Sequence, residues 1–519
     1  MTLSIKPSIK PIVAAVAAAV ALASPLAFAG DHHRHHHGKQ EAKYIILLVG
    51  DGMNIEHEIA ASRYLFGKDM ALSFHKLPYQ ADQATWDVTT YQKYGGSYDS
   101  AAIAATTGYD PAKGGKKPYP LGPELPGAIE YHNIWATDSA SAATAWATGY
   151  KTDDGNINWL PGDPDAGGNR NNDGSLKTIA EHLRELKNYA VGIVSTVPFT
   201  HATPAGFVAH NKSRNNYHAL GHEILAQFKP EVVIGAGYQA GSSCTNPLQS
   251  NFISKATYEA VCADSDYKVV TRAAGVDGGL AVLGAAQQAA EEGKKLFGLF
   301  GGSAGHFESL KPNDLPETPL VTQATRENPT FAEATLAALK VLGKNPNGFF
   351  LMAEQGDLDW AAHANDFARQ VGTTKDLHDG TRAVIDFVNQ PGDDMTWDNT
   401  LLIVTSDHSN NYMRNKVRLG AGDLPLQRAK TSADPAVARG VESSCHTANC
   451  YPDGEVSFAS GTHTNELTRI YAKGAGTHRF ERYEGRWYPG TRIIDNTQLF
   501  HMMMDAAGEP LASPLKIVK

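Results

Sequence analysis

From residue 42 onward two patterns alternate along the chain. Apolar, β-rich runs stand at 44–49, 190–195, 231–236, 296–300, 348–353 and 400–405. Amphipathic stretches lie between them, among them Ser175 to Lys187, Phe331 to Lys344 and Leu358 to Val388. A strand covered on both faces reads as a continuous apolar run, and parallel neighbours need helical crossovers. The pattern therefore predicts an α/β three-layer sandwich: a large, mostly parallel central sheet with helices on both faces. Two segments interrupt the alternation. Residues 88–130 and 410–460 are rich in Gly, Pro, Lys and Asp and lack periodicity, so they read as surface insertions on a single domain spanning 42–519.

The N-terminus follows a different logic. Lys6 and Lys10 precede an Ala-rich apolar run from Ile12 to Ala23, and Ala27-Phe28-Ala29 has the small-x-small form of a signal-peptidase site. Residues 1–29 are thus expected to be a cleavable signal peptide and the protein to be periplasmic or secreted. The run is shorter than the ~20 residues a membrane span needs, and no later segment reads as one. Residues 30–41 are polar and histidine-rich, a disordered tail by composition, with zinc scavenging as the competing reading.

Removal of residues 1–29 takes away two lysines and no acids, moving the net charge from −9 to −11. That balance argues against nonspecific nucleic-acid binding but not against anionic substrates, since bound divalent cations set their own local field. Four cysteines in an exported chain favour disulfides, and proximity pairs Cys244 with Cys262 and Cys445 with Cys450, the other pairings remaining open.

The candidate chemistry sits past the ends of apolar runs, where α/β sheets bind ligands. Asp51 follows YIILLVG, Glu354 follows FFLMA, and Asp407-His408 follows LLIVTS. Asp359 and His363 are four residues apart, so a helix opening at Leu358 places both on one face; His463 stands in SGTHTNE. Carboxylates and imidazoles of this kind suit zinc or magnesium. For Asp51 the alternative is the N-cap of a helix starting near Asn54. Two adjacent ligands such as Asp407 and His408 can point at two different ions if strand alternation continues through them. Asp138-Ser139 opens a small-residue helix, where the N-terminal N–H groups favour an anion; without a GxSxG or triad spacing, activation of Ser139 needs a metal. The run Asn169 to Gly174 resembles a calcium loop, but Ala180 occupies the position where an EF-hand needs Glu, so it reads as a turn. His132, His210, His218, His222, His306, His446 and His501 read as ordinary solvated or hydrogen-bonded histidines.

Six ordered segments carry a family resemblance: VGDGM at 49–53, TDSASAATAWATGYKT at 137–152, THATPAGFVAHNKSR at 200–214, AEQGDLDWAAHAND at 353–366, TSDHS at 405–409 and GTHTNE at 461–466. In these the chain closely resembles the alkaline phosphatase family. The resemblance implies a phosphomonoesterase with a Ser139 phosphoenzyme, two zinc ions and one magnesium ion. It implies Asp359, His363 and His463 around one zinc, Asp51, Asp407 and His408 around the other, and Asp51, Thr203 and Glu354 around magnesium. Arg214 would clamp the phosphate, with Asp138, His201 and Trp360 beside it. His201 and Trp360 stand where one well-known bacterial form has aspartate and lysine, a combination that resembles marine and cold-active members. A homodimer is the usual assembly of the family, though the 410–460 insertion could build or block the interface. The rival readings are a phosphodiesterase or sulfatase of the same superfamily and a non-enzymatic zinc-binding protein; the sulfatase modification motif C/S-x-P-x-R is absent.

Overall fold

The long apolar runs form the middle of a ten-stranded sheet. The computed structural model describes residues 41–89, 136–159, 175–302, 305–307, 310–392, 394–485 and 490–511. The signal-peptide reading, the histidine-rich tail up to residue 40, the insertion from 90 to 130, His132 and the turn at 169–174 lie outside the described residues.

The main-sheet strands are β1 (Tyr44–Gly50), β2 (Tyr79–Ala84), β3 (Ala190–Pro198), β4 (Val232–Ala236) and β5 (Tyr267–Thr271). They continue as β6 (Lys295–Leu299), β7 (Phe349–Gln355), β8 (Thr400–Thr405), β9 (Thr468–Gly474) and β10 (Ile493–Asp495). Their spatial order is β10-β2-β9-β8-β1-β7-β3-β4-β6-β5. All neighbours run parallel except at β9, which is antiparallel to both β8 and β2. At the centre, Tyr44 pairs with Phe349 on one side and Thr400 on the other.

The helices are α1 (Ile55–Phe66), α2 (Ser139–Thr148), α3 (Ile179–Lys187), α4 (Ala202–Ala205), α5 (Tyr217–His222) and α6 (Lys255–Ala263). They continue as α7 (Gly278–Glu292), α8 (Phe331–Leu342), α9 (Asp357–His363), α10 (Phe367–Val388) and α11 (Thr497–Ala506). Alternate residues of β1 divide between two cores. Ile45, Leu47 and Val49 join the cluster containing Trp146, Leu183 and Phe500, and Tyr44, Ile46 and Leu48 join the one containing Ala286, Leu339 and Leu377. Each such aliphatic side chain contributes roughly 1.5–3 kcal/mol by leaving water. Helices on both faces of a mostly parallel sheet give the expected sandwich.

One expected helix is interrupted. The stretch Leu358 to Val388 forms α9 and α10, separated at Asn365, which takes the left-handed conformation (φ 50°). Asp366 then caps α10 by accepting from the Arg369 N–H. The break turns the chain immediately after His363. The 410–460 segment carries short two-residue strands rather than a layer of the main sheet. It buries Met413, Tyr451, Val456 and Phe458 against Tyr64 of α1 and Phe367 and Val371 of α10. Both disulfides form in the pairing expected from proximity, Cys244–Cys262 and Cys445–Cys450.

Candidate active site

Four buried carboxylates converge at the C-terminal ends of the central strands: Asp51, Glu354, Asp359 and Asp407. Asp51 directly follows β1, Glu354 is the penultimate residue of β7, and Asp407 lies two residues past β8. Asp359 arrives on α9. Gly52 lets it approach: a Cβ at that position (φ 68°) would stand 2.6 Å from Asp359 Oδ1. The N-cap alternative for Asp51 does not hold, because Asn54 caps α1 by accepting from the Glu56 and His57 N–H groups.

Two donor clusters result. In the first, Asp359 Oδ2 lies 3.1 Å from His363 Nε2, and its Oδ1 lies 3.4 Å from His463 Nε2. Both rings are turned by backbone carbonyls: His363 Nδ1–H donates to Gly461 O at 2.8 Å and His463 Nδ1–H to Thr137 O at 2.9 Å. With Nδ1 turned to a carbonyl, each Nε2 faces the cluster, the arrangement that orients imidazole ligands in metal sites. Asn410 Nδ2 donates to Asp359 Oδ1 at 2.6 Å. In the second cluster, His408 Nε2 lies 3.3 Å from Asp51 Oδ1 and 3.2 Å from Asp407 Oδ2. Asp407 and His408 thus face the same partner. Strand alternation does not separate them, because β8 ends at Thr405 and the chain bends there. His408 also bridges toward the first cluster, since Asp359, His408 and His463 bring donor atoms within 4.8 Å of one another.

Glu354 lies next to Asp51. Ser195 Oγ donates to its Oε2 at 2.5 Å. Glu354 Oε1, Asp51 Oδ1, Asp407 Oδ2 and the Thr203 hydroxyl at the head of α4 are all buried without a hydrogen bond. Oxygen atoms left this way are costly unless something charged meets them. The side chains fit divalent cations: hard oxygens and imidazole nitrogens, acidic in excess, with unpaired atoms pointing inward.

Electrostatics express the same excess. Burial, then Asp407, Asp359 and Glu354, raise Asp51 well above the usual carboxylate range. Glu354 is pushed up to about 8, first by burial and, against the relief from Ser195, by Asp407. Burial would raise Asp359 too, but His363 and His463 hold it well below its ordinary value. Reciprocally, Asp359 raises His363 to about 9, whereas burial lowers His408 to about 4.

Ser139 opens α2, ten buried residues of mostly Ala, Ser and Thr that let the helix sit close against α4 and α11. Its Oγ is 3.2 Å from His408 Nε2. Asp138 caps the helix, accepting from the Ser141 N–H at 3.0 Å, and its Oδ2 accepts from Arg214 Nη1 at 2.9 Å. A guanidinium and a helix N-terminus therefore flank the serine, a combination suited to a dianionic phosphoryl group. On the remaining side Trp360 meets His201 edge-to-face at 5.9 Å and His306 at 5.0 Å. Burial, followed by Arg214, lowers His201 to about 3, so it stands as a neutral ring. The candidate site residues taken from the sequence thus lie in or beside this cluster. His306, Ser195, Asn410 and the carbonyls of Thr137 and Gly461 belong to it as well. Of these, only Ser195, near the end of an apolar strand, carried any positional signal.

Known proteins resemble this chain in sequence and in fold. The family model described as "Alkaline phosphatase" matches residues 128–233 and 282–508. The chain is 29% identical to the alkaline phosphatase of Escherichia coli over 498 residues, 90% of this chain and 86% of that one. It is 28% identical to alkaline phosphatase 3 of Bacillus subtilis over 377 residues, 72% of this chain and 62% of that one. Among solved structures, the Thermus thermophilus alkaline phosphatase aligns with a TM-score of 0.58 at 19% identity, covering 94% of this chain and 97% of that one. The enzyme from the Antarctic bacterium TAB5 aligns at 0.54 and 19%, covering 91% and 100%. At these identities the structural likeness speaks to the fold.

Proposed function

We propose that this chain, which belongs to the alkaline phosphatase family, hydrolyses phosphate monoesters to an alcohol and inorganic phosphate through a phosphoserine at Ser139. Its relatives support a metal-dependent phosphatase of this superfamily. The observation that carries the finer reading is the position of Ser139 Oγ, 3.2 Å from His408 Nε2, between the carboxylate-imidazole clusters and the Arg214 guanidinium that Asp138 holds.

Asp359, His363 and His463 would hold one zinc ion, Asp51, Asp407 and His408 a second, and Asp51, Thr203 and Glu354 a magnesium ion. When bound, such cations lower the pKa of hydroxyl and water nucleophiles and neutralise charge on the attacking and leaving oxygens. The protein's own part is placement. Ser139 Oγ forms the bond to phosphorus as the ester oxygen departs with its electron pair. Water then forms the second bond to phosphorus, and the Oγ–P bond breaks, restoring the serine. Two in-line displacements leave the configuration at phosphorus retained. Arg214 presents planar paired donors to the non-bridging oxygens, a geometry lysine lacks. Trp360 and the neutral His201 put uncharged rings beside the phosphate position, which favours release of product.

Export rests on the signal-like residues 1–29 and on the two disulfides. Among the described residues no helix is long and apolar enough to cross a membrane.

The test is hydrolysis of p-nitrophenyl phosphate at alkaline pH, before and after chelation, with zinc and magnesium restored, for wild type and Ser139→Ala. Loss on chelation, recovery with both ions and near-abolition in Ser139→Ala are expected. Cleavage of a bis-ester without monoester turnover would replace this reading with a phosphodiesterase.

A further inference from the structure

The 410–460 segment reaches the site through a small hairpin. Cys445-His446 pairs antiparallel with Asn449-Cys450, closed by the Cys445–Cys450 disulfide. At its tip Thr447 takes a left-handed conformation (φ 54°). This tip and the residues after it grip the chain that follows His363. Asn449 Nδ2 donates to Ala364 O at 2.8 Å. Asn365 Nδ2 donates to both Thr447 Oγ1 and Ser460 O at 3.0 Å. The buried Tyr451 hydroxyl donates to Asn365 O at 2.6 Å and accepts from the Phe367 N–H at 2.8 Å.

Thr447 touches His363 from the other direction as well, through Gly461, whose carbonyl turns the His363 ring. A Cβ on Gly461 would lie 2.2 Å from Thr447 Oγ1 and 3.0 Å from His363 O. One hydroxyl therefore packs against the residue that orients the imidazole and also binds Asn365, two positions along the chain from that imidazole. Asn365 is fully buried, and one nitrogen of its amide serves both partners.

We propose that Asn365 and Thr447 are positioning residues that set His363 as a metal ligand, so that this surface hairpin tunes zinc affinity. The inference rests on the reading of His363 as a ligand. Groups that orient an imidazole without touching the ion commonly change metal affinity by about 10- to 100-fold. A gripped backbone break next to the ligand limits how far the ring can drift when the ion leaves.

The experiment is zinc binding by chelator competition on the full-length protein, paired with thermal unfolding of the metal-free form. Asn365→Gly keeps the left-handed backbone and removes the amide; Thr447→Gly does the same for the hydroxyl. Both are expected to lower the affinity of one zinc site about tenfold or more, and Thr447→Ser is expected to restore it. Affinities within twofold of wild type in both glycine variants overturn the inference, even if the metal-free protein melts earlier, because a merely structural role predicts that pattern. Wild-type zinc binding that His363→Ala leaves unchanged would instead sink the metal reading of His363, and this inference with it.

Discussion

Arg214 Nη1 donates to Asp138 Oδ2 at 2.9 Å, so the carboxylate that precedes the candidate nucleophile also aims the candidate phosphate clamp. Asp138 is at the same time the N-cap of α2. One side chain therefore fixes the serine helix and the guanidinium relative to each other. Charge-assisted hydrogen bonds are worth about 1.5–3 kcal/mol. Arg214→Ala should accordingly reduce kcat/KM by roughly 10- to 150-fold and weaken inhibition by inorganic phosphate. Arg214→Lys should recover only part of this, because a point charge cannot reproduce the planar fork. Steady-state kinetics with phosphate as inhibitor decide it; full recovery by lysine would count against a paired-donor clamp.

Trp360 stands 5.9 Å from the neutral His201 and 5.0 Å from His306, whose proton Asp357 holds at 2.8 Å, and its own ring brings no cation to the phosphate position. Trp360→Lys should add one. We expect phosphate to inhibit about tenfold more tightly, and turnover to fall as product release slows, an effect equivalent to ~1.4 kcal/mol. If phosphate inhibition and turnover both stay at wild-type values, Trp360 does not govern product retention.

The central strands were readable because burial on both faces leaves a continuous apolar run. β2 (YQADQA) and β9 (TRIYAKG) were not, since each keeps polar residues on partly exposed faces. β10, with three residues, is too short to show any pattern. The same contrast runs through the site. Asp51, Glu354 and Asp407 were found from their places near strand ends. His463 had no such position; its SGTHTNE setting is a weak signal alone, and the family resemblance gave it a role. The carbonyls of Thr137 and Gly461 that turn the rings leave no trace in residue type at all. The break after His363 was missed because helical periodicity continues across it, although Asn365-Asp366 is a left-handed residue followed by an N-cap.

The Thr203 hydroxyl is buried beside Glu354 without a well-formed hydrogen bond. Such an oxygen costs about 1–3 kcal/mol until it meets a partner. Thr203→Val should abolish stimulation by magnesium while zinc binding persists. In the metal-free protein the same change should alter the melting temperature little, because the hydroxyl's contact there is a poorly formed one to Glu354. Magnesium titrations of zinc-loaded protein and thermal melts of the chelated form test both halves. A strongly destabilised metal-free variant would show that the hydroxyl serves the fold instead.

His210, away from the metal site, makes the pH dependence of stability testable. Its ring lies 2.8 Å from Glu223 and 3.3 Å from Glu181, and Glu181 also closes the N-terminal cap of α3. Burial opposes the charge, but the two carboxylates outweigh it and raise His210 from 6.5 to about 10. The folded state therefore holds a proton that the unfolded chain releases near pH 6.5. The stabilisation is complete below that pH and is lost as the pH rises through about 10. Between these limits one extra bound proton gives a slope of about −1.4 kcal/mol per pH unit. Lys151 acts oppositely near the upper end: burial, only partly offset by Asp495, lowers it to about 8, so the unfolded chain there binds the extra proton. The raw stability curve thus mixes both signs, and the difference between wild type and His210→Gln isolates the histidine. Urea unfolding from pH 6 to pH 10 should show that difference shrinking steadily as the pH rises. A gap that stays constant over the whole range would mean His210 is neutral in the folded protein.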